Sequence, residues 1–271
     1  MFFKTLYNDI KIPMLGLGTY RLTVYEQVFN AVKIAYETGY RHFDTADIYG
    51  NHRQLAKAFK LLEIPRQDLF ITTKIWNTEH GYNQAISSYN RFLDELETDY
   101  IDLLLIHWPG MRKTYLDTWQ AMIELWEKGK VRAIGVSNFL IENIKDLENN
   151  FKILPFVNQI ELHPFFVDWQ LVNYCQEKNI AIESWAPIAK GRVVDNLVLK
   201  NLGQKYGKTS VQVAIRWHLQ HGFIVIPKSA NPQRIKENFE VWDFELTKQE
   251  MAQIDSLSKQ NRLGPDPASF F

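Results

Sequence analysis

The sequence predicts an α/β fold, a closed (β/α)8 TIM barrel with an N-terminal β-hairpin and a C-terminal helix plus tail, and three observations carry that reading. Strand-like and helix-like segments alternate eight times along the 271 residues. That length is typical of one such barrel. No Pro/Gly/Ser-rich linker or low-complexity stretch divides the chain, so residues 1–271 are expected to form one domain. A repeated β-then-α order calls for a parallel sheet covered by helices, and closure accommodates eight repeats better than an open doubly wound sheet.

The elements follow in chain order. A hairpin is expected around Asn8 and Asp9. The strand runs are then MLGLGTY, RHFDTA, LFITTKIW, IDLLLIHW, VRAIGVSNF, FVNQIEL, IAIESWAP and FIVIPKS. They are mostly continuous apolar, β-branched runs, the pattern of strands buried on both faces. Between them apolar residues recur at helical spacing, as at Val28, Ala31, Val32 and Ala35. The stretch from Asp195 to His221 is long enough for two helical pieces. Thr247 to Ser258 reads as a capped helix, and the tail NRLGPDPASFF holds too much Pro and Gly to continue it. Its aromatic end, Phe270 and Phe271, is expected to form a flexible wall over a pocket.

Composition excludes several classes of function. Hydrophobic residues make up 46 % of the chain, enough for a sizeable core, and 31 basic residues balance 31 acidic ones. Such a balance offers no bulk attraction to nucleic acid or anionic lipid, so any anion site must be local. Cys175 is the only cysteine, which rules out an intrachain disulfide, and the start MFFKTLYNDIKIP lacks the apolar run of a signal peptide. A cytoplasmic protein without a membrane span is the expectation.

Four polar residues sit at or just beyond strand ends: Asp44 and Tyr49 in HFDTADIY, Lys74 in LFITTKIW and His107 in IDLLLIHW. In a barrel of this kind the C-terminal ends of the strands form the active face. Alone, an Asp or His there is more often a hydrogen-bonded structural residue. Lys74 is harder to explain that way, because a lysine ending an apolar strand carries a desolvated charge that needs a carboxylate, and Asp44 on the preceding strand is its natural partner. A free phenol has a pKa of about 10, and a nearby ammonium is expected to lower it. Tyr49 would then protonate an alkoxide as it forms, with His107 donating a hydrogen bond to the same oxygen. These four supply protons and no electrons, so the hydride donor must come from outside the chain. Ser137 has no nucleophile-elbow signature.

Taken together, LGLGTY, FDTADIYGN, TTKIWN, LLIHWP, GVSNF, NQIELHP and IPKSANPQRIKEN occur in the order found in the aldo-keto reductase superfamily, which the chain resembles over nearly its whole length. The short loops and the GPDPASF tail resemble prokaryotic 2,5-diketo-D-gluconate reductases and glyoxal or methylglyoxal reductases. This resemblance implies an NADPH-dependent oxidoreductase that reduces the aldehyde or ketone carbonyls of small molecules, and a monomer. Asp44, Tyr49, Lys74 and His107 match the family's catalytic tetrad. It also implies cofactor contacts at Gly18 and Thr19 in LGLGTY, at Ser137, Asn138 and Gln159 for the nicotinamide carboxamide, and at Trp185 for ring stacking, against the alternative of a core tryptophan. Lys228, Ser229 and Arg234 would take the adenosine 2′-phosphate, two cations and a hydroxyl beside a helix start. Glu237 and Asn238 match adenine contacts, though in isolation they read as solvated helix residues. LGLGTY lacks the third glycine of a Rossmann fingerprint, which disfavours that fold.

Tyr20, Trp76 and Trp108 match positions where the family walls the substrate with aromatics. Arg21 and Lys113 are candidates for a substrate carboxylate clamp. The chain departs from the pattern at His52, where Glu is frequent, at Ala56, where Gly is frequent, and in APIAKGRVVDN after Trp185, which replaces the more common SPLG-type loop over the pyrophosphate. Two other classes compete. A metal-dependent hydrolase would use His42, Asp44, a Lys74 carbamate, His107 and His163, but leaves Tyr49, Trp185 and the Lys228 cluster without a role; no metal site is therefore expected. A non-catalytic NADPH-binding partner protein would leave the tetrad unexplained.

Overall fold

The computed structural model describes residues 2–270, and Phe271, one of the two tail aromatics, lies outside them. A two-stranded antiparallel hairpin, β1 (Phe3–Thr5) and β2 (Lys11–Pro13), comes first, turning at Asn8 and Asp9. Eight parallel strands follow: β3 (Gly16–Gly18), β4 (His42–Asp44), β5 (Phe70–Ile75), β6 (Ile101–Ile106), β7 (Val131–Ser137), β8 (Val157–Glu161), β9 (Ala181–Trp185) and β10 (Ile224–Val225). They are hydrogen-bonded in sequence order, and parallel bridges from Leu15 to Val225 and from Gly18 to Lys228 close the ring between β3 and β10. Closure explains one glycine. A Cβ on Gly18 would lie 2.7 Å from the carbonyl oxygen of Ile226, so only glycine lets the first and last strands approach.

One helix follows each of β3 to β8: α1 (Tyr25–Thr38), α2 (His52–Leu61), α3 (Tyr82–Leu96), α4 (Tyr115–Glu127), α5 (Ile141–Asn150) and α6 (Trp169–Glu177). Two, α7 (Leu197–Tyr206) and α8 (Ser210–Gln220), lie between β9 and β10, as the long Asp195–His221 stretch suggests. After β10 come α9 (Pro232–Phe239) and α10 (Lys248–Asp255). In α1 the predicted Val28, Ala31, Val32 and Ala35 form the buried stripe, and Gly39 ends the helix with φ 117°. Thr247 caps α10 in a capping box with Glu250, but the helix ends at Asp255 rather than Ser258. Every residue of β5 and β6 is buried, which accounts for their largely apolar and β-branched character, and the two buried charges, Lys74 and Asp102, are each paired.

Two strands are shorter than their apolar runs. Of MLGLGTY only Gly16–Gly18 pairs as a strand, and of FIVIPKS only Ile224–Val225, because both chains leave the barrel early at the closing seam. One departure at α2 has a local explanation. His52 is buried with both ring nitrogens hydrogen-bonded, to Glu95 Oε2 and Thr73 Oγ1, each at 2.9 Å, and ties α2 to α3 and β5. Among the described residues no helix is long and apolar enough to cross a membrane.

Candidate active site

The C-terminal ends of β4, β5 and β6 bring the four polar residues to one mouth. Asp44 ends β4, Lys74 is the penultimate residue of β5, His107 follows β6, and Tyr49 ends a short 3-10 turn (Asp47–Tyr49) that leaves β4. Lys74 has no exposed surface. Its Nζ donates to Asp44 Oδ1 at 2.7 Å, to Asp44 Oδ2 at 2.8 Å and to the Thr45 carbonyl oxygen at 2.8 Å. Three acceptors use the three ammonium hydrogens, which holds the charge in one place. Gln159 Nε2 donates a further hydrogen bond to Asp44 Oδ2 at 2.9 Å. Burial lifts the Asp44 carboxyl above its ordinary range, and the Lys74 ammonium and the Gln159 amide oppose that lift. Since every partner of Asp44 is a donor, the geometry is built for the ionised carboxylate.

Tyr49 stands over this pair, with Lys74 Nζ 5.1 Å from its ring centroid. Tyr20 flanks it at 5.1 Å between centroids and His107 at 5.8 Å. Here the structure corrects an expectation. Burial pushes the phenol well above its ordinary pKa of 10.0, and the Asp44 carboxylate pushes the same way, rather than the lysine lowering it. The reason is distance: the ammonium is spent on a carboxylate at 2.7 Å, so the phenol meets a nearly neutral pair and desolvation governs.

His107 is a neutral imidazole, held well below its usual pKa by burial and by the Lys74 charge. Its Nδ1 is buried with no hydrogen-bond partner. Placing the ring proton on Nδ1 would strand a buried N–H, so the proton belongs on Nε2, the other face of the ring. Around the mouth, Trp76 packs on His107 at 5.0 Å, and Trp108 meets Trp185 at 6.5 Å and the tail's Phe270 at 4.4 Å. Tyr20 is half-exposed at the rim. Of the two clamp candidates, Lys113 is paired with Asp146 at 2.7 Å, and Arg21 lies 5.2 Å from the Tyr20 ring.

A second group converges beside these four. Ser137 ends β7 in register with Gln159 on β8, and Asn138 follows it with φ 62°. Ser137 Oγ donates to the Gln159 carbonyl oxygen at 2.8 Å. Asn138 Nδ2 donates to the His107 carbonyl oxygen at 3.0 Å, and Asn138 Oδ1 accepts from Trp185 Nε1 at 2.8 Å. On the seam, Lys228 and Arg234 are exposed and Ser229 is buried; Asn231 caps α9 through the Arg234 amide. Glu237 is half-buried and accepts from Gln233 Nε2, while Asn238 is buried. Thr19, expected at a cofactor, is fully buried with its hydroxyl donated to the Asp44 carbonyl oxygen at 2.8 Å, so in this structure it braces β3 on β4. Gly18 likewise faces the barrel seam.

Of the residues a metal hydrolase would use, His42 and His163 have other partners. Among the described residues no group of three or more His, Cys, Asp or Glu is placed to hold a metal ion. His163 Nε2 instead meets Glu161 Oε1 at 3.2 Å, and His42 Nε2 meets Thr72 Oγ1 at 2.9 Å.

The sequence profile of the aldo/keto reductase family matches residues 14–259. The chain belongs to that family. This reductase is 46 % identical over 270 residues to the 9,11-endoperoxide prostaglandin H2 reductase of Trypanosoma cruzi, covering 98 % of this chain and 95 % of that protein. It is 42 % identical over 262 residues to the glyoxal reductase of Bacillus subtilis, covering 97 % and 95 %. A crystal structure of a mutant of Gox0644 in complex with NADPH superposes with a TM-score of 0.95 at 38 % identity, covering 100 % of this chain and 98 % of that one.

Two buried carboxylates of the reductase escaped the sequence reading. Glu183 lies inside the barrel on β9, in register with Gln159, and accepts from Gln159 Nε2 at 3.1 Å. Glu161, at the end of β8, accepts from the backbone amides of Leu263 and Gly264 and so latches the tail. The signal for both is the one that exposed Lys74: a charge within an apolar strand, in IAIESW and FVNQIEL. The loop after Trp185 is also unusual. Ala186, Ala189 and Lys190 all have positive φ, which costs about 1–2 kcal/mol each in non-glycine residues, and Lys190 Nζ holds the loop to the Leu263 carbonyl oxygen at 2.9 Å.

Proposed function

We propose that this chain, residues 1–271 acting as one catalytic unit, reduces small aldehydes, ketones and α-dicarbonyls at the expense of NADPH. The observation that carries the proposal is the locked Lys74–Asp44 pair beneath Tyr49, with the His107 imidazole across from the phenol. It joins a proton donor, a nearby cation and a neutral hydrogen-bond donor beside the rings of Trp76, Trp108 and Phe270. The glyoxal reductase relative and the NADPH complex of Gox0644 support the same chemistry.

The residues fit the cofactor. Both amide hydrogens of Gln159 point inward to carboxylates, which leaves its Oε1 for a carboxamide N–H. Trp185 has its indole N–H fixed on Asn138 and offers a ring face for stacking. Lys228 and Arg234 are both exposed, so both cations are available to a 2′-phosphate. When bound, NADPH supplies the hydride. The rest falls to the chain: His107 Nε2–H holds the substrate oxygen and Tyr49 gives it a proton, with Lys74 held on Asp44 and Thr45 beneath the ring. The apolar walls exclude water.

The deciding experiment is NADPH oxidation by purified protein with glyoxal, methylglyoxal, a nitrobenzaldehyde and a diketo sugar acid. NADPH-dependent turnover of at least one carbonyl is expected, and its absence across the panel, with no NADPH binding, would overturn the proposal. Arg234→Leu should weaken NADPH about tenfold while leaving NADH affinity nearly unchanged, since a charge-assisted bond to the 2′-phosphate is lost. Equal losses for both cofactors would remove Arg234 from that role. Gly264→Ala tests the Trp185 platform. A Cβ there would lie 2.3 Å from Trp185 Cη2 and 3.2 Å from Glu161 Oε2, so the ring or the tail must shift. Several-fold weaker NADPH binding at an unchanged melting temperature is expected, and unaltered binding would show that the platform tolerates the displacement.

A further inference from the structure

The interior of the barrel holds a glutamate carboxyl whose burial the fold does not explain. Glu183 has no exposed surface, and among the described residues its one hydrogen bond is the 3.1 Å contact of Oε2 with Gln159 Nε2. Its Oε1 is buried without a partner, 3.6 Å from His42 Nε2, too far for a hydrogen bond. The His42 ring nitrogen is already engaged with Thr72 Oγ1, and burial holds that imidazole neutral, its pKa lowered to about 3. Burial and the Asp44 carboxylate on the same amide push the Glu183 carboxyl up to about 8, and a buried carboxyl group with one oxygen unsatisfied costs stability.

The amide nitrogen of Gln159 has two hydrogens. One goes to Asp44 Oδ2 at 2.9 Å and the other to Glu183 Oε2 at 3.1 Å. Ser137, Gln159 and Glu183 also lie on one line of register across β7, β8 and β9, so the carboxylate braces Gln159 on the side away from Ser137. With one acceptor the amide could pivot about that bond; with two it cannot, and its carbonyl must face away from both carboxylates. We propose that Glu183 is a positioning residue: together with Asp44 it locks the Gln159 amide so that Oε1 alone is offered to the carboxamide of the nicotinamide ring. The inference rests on the assignment of Gln159 made under the proposed function. Through Asp44 the same amide is joined to Lys74, so one buried chain of hydrogen bonds, Lys74–Asp44–Gln159–Glu183, sets the proton site and the cofactor site together.

The test compares Glu183→Met, Glu183→Asp and Glu183→Gln with Gln159→Leu and with the Glu183→Met/Gln159→Leu double variant. NADPH dissociation constants are read from tryptophan fluorescence, melting temperatures by circular dichroism, and facial fidelity from deuterium transfer with NADPH labelled on one face of C4. Glu183→Met should weaken NADPH about tenfold, as expected when a buried donor loses its acceptor, and leak label from the wrong face. Glu183→Asp, too short to reach the amide, should do the same, and decides the matter if the methionine variant does not fold. Glu183→Gln keeps an acceptor oxygen and should bind NADPH as the parent does. The double variant should be no worse than Gln159→Leu, because both changes remove one interaction. Parental affinity and fidelity in both Glu183→Met and Glu183→Asp, alongside a loss in Gln159→Leu, would overturn the inference while sparing the assignment of Gln159. Additive losses in the double variant would overturn it too. If Gln159→Leu itself binds NADPH as the parent does, the assignment of Gln159 falls, and this inference with it.

Discussion

Tyr49→Phe should leave the fold and NADPH affinity intact and lower carbonyl reduction by about 10² to 10⁴, the usual worth of a general acid. The substitution keeps the ring, and with it the contacts to Tyr20 and His107 at 5.1 and 5.8 Å, and removes only the hydroxyl. Neither His107 nor Lys74 can replace it. His107 is a neutral imidazole held far below its ordinary pKa, and Lys74 has its three hydrogens on Asp44 and Thr45. The same geometry predicts the pH profile. Because burial holds the phenol well above pH 10.0, the donor stays protonated across the neutral and mildly alkaline range, and kcat/KM for reduction should show no loss ascribable to Tyr49 below about pH 9. Parental turnover in Tyr49→Phe would reject the assigned acid, and an alkaline limb near neutrality that disappears in the variant would contradict the burial argument.

Lys74→Met should abolish most activity and also cost about 3–5 kcal/mol of stability, the consequence of leaving a buried carboxylate without its cation. In the parent, Lys74 contacts both oxygens of Asp44 at 2.7 and 2.8 Å with no exposed surface on the lysine. Without it, burial raises the Asp44 carboxyl further, so the folded state holds a proton that the unfolded chain, with a pKa of about 3.9, has released. Where the folded state binds more protons, stability falls as pH rises. The penalty should therefore be absent below the unfolded pKa, grow through the window up to the raised folded pKa, and be full above it. Urea denaturation at pH 5 and pH 8 reads this directly, with the larger deficit at pH 8. The double variant Lys74→Met/Asp44→Asn should recover much of the stability and none of the activity, which separates the structural role of the pair from its chemical one. Equal stability of Lys74→Met and the parent at both pH values would show that the pair is not closed in solution.

Much of this molecule is legible in one dimension because the physics there is local. Runs rich in apolar and β-branched residues, such as ITTKI and DLLLI, mark strands buried on both faces, the spacing of Val28, Ala31, Val32 and Ala35 marks a helix face, and the Thr247–Glu250 box marks a helix start. A parallel β/α order also dictates that strand ends share a face, so Asp44, Lys74 and His107 could be brought together from their positions alone. What could not be read depends on contacts between distant segments. The state of Tyr49 turned on whether the ammonium nearby was free or already spent at 2.7 Å, a question of ångströms. Thr19 is penultimate in the run MLGLGTY, and only folding brings its hydroxyl to the Asp44 carbonyl oxygen, 25 positions away. Glu161 reaches the amides of Leu263 and Gly264 across more than a hundred residues, and Glu183 finds its purpose only where β8 lies beside β9. The sequence by itself determined the barrel, the order of its strands and the inventory of chemical groups at its mouth, since periodicity and chirality act residue by residue. Only the tertiary structure decided which of those groups are paired, which are desolvated and which way the Gln159 amide faces, because charge and hydrogen bonding depend on distances that folding alone sets.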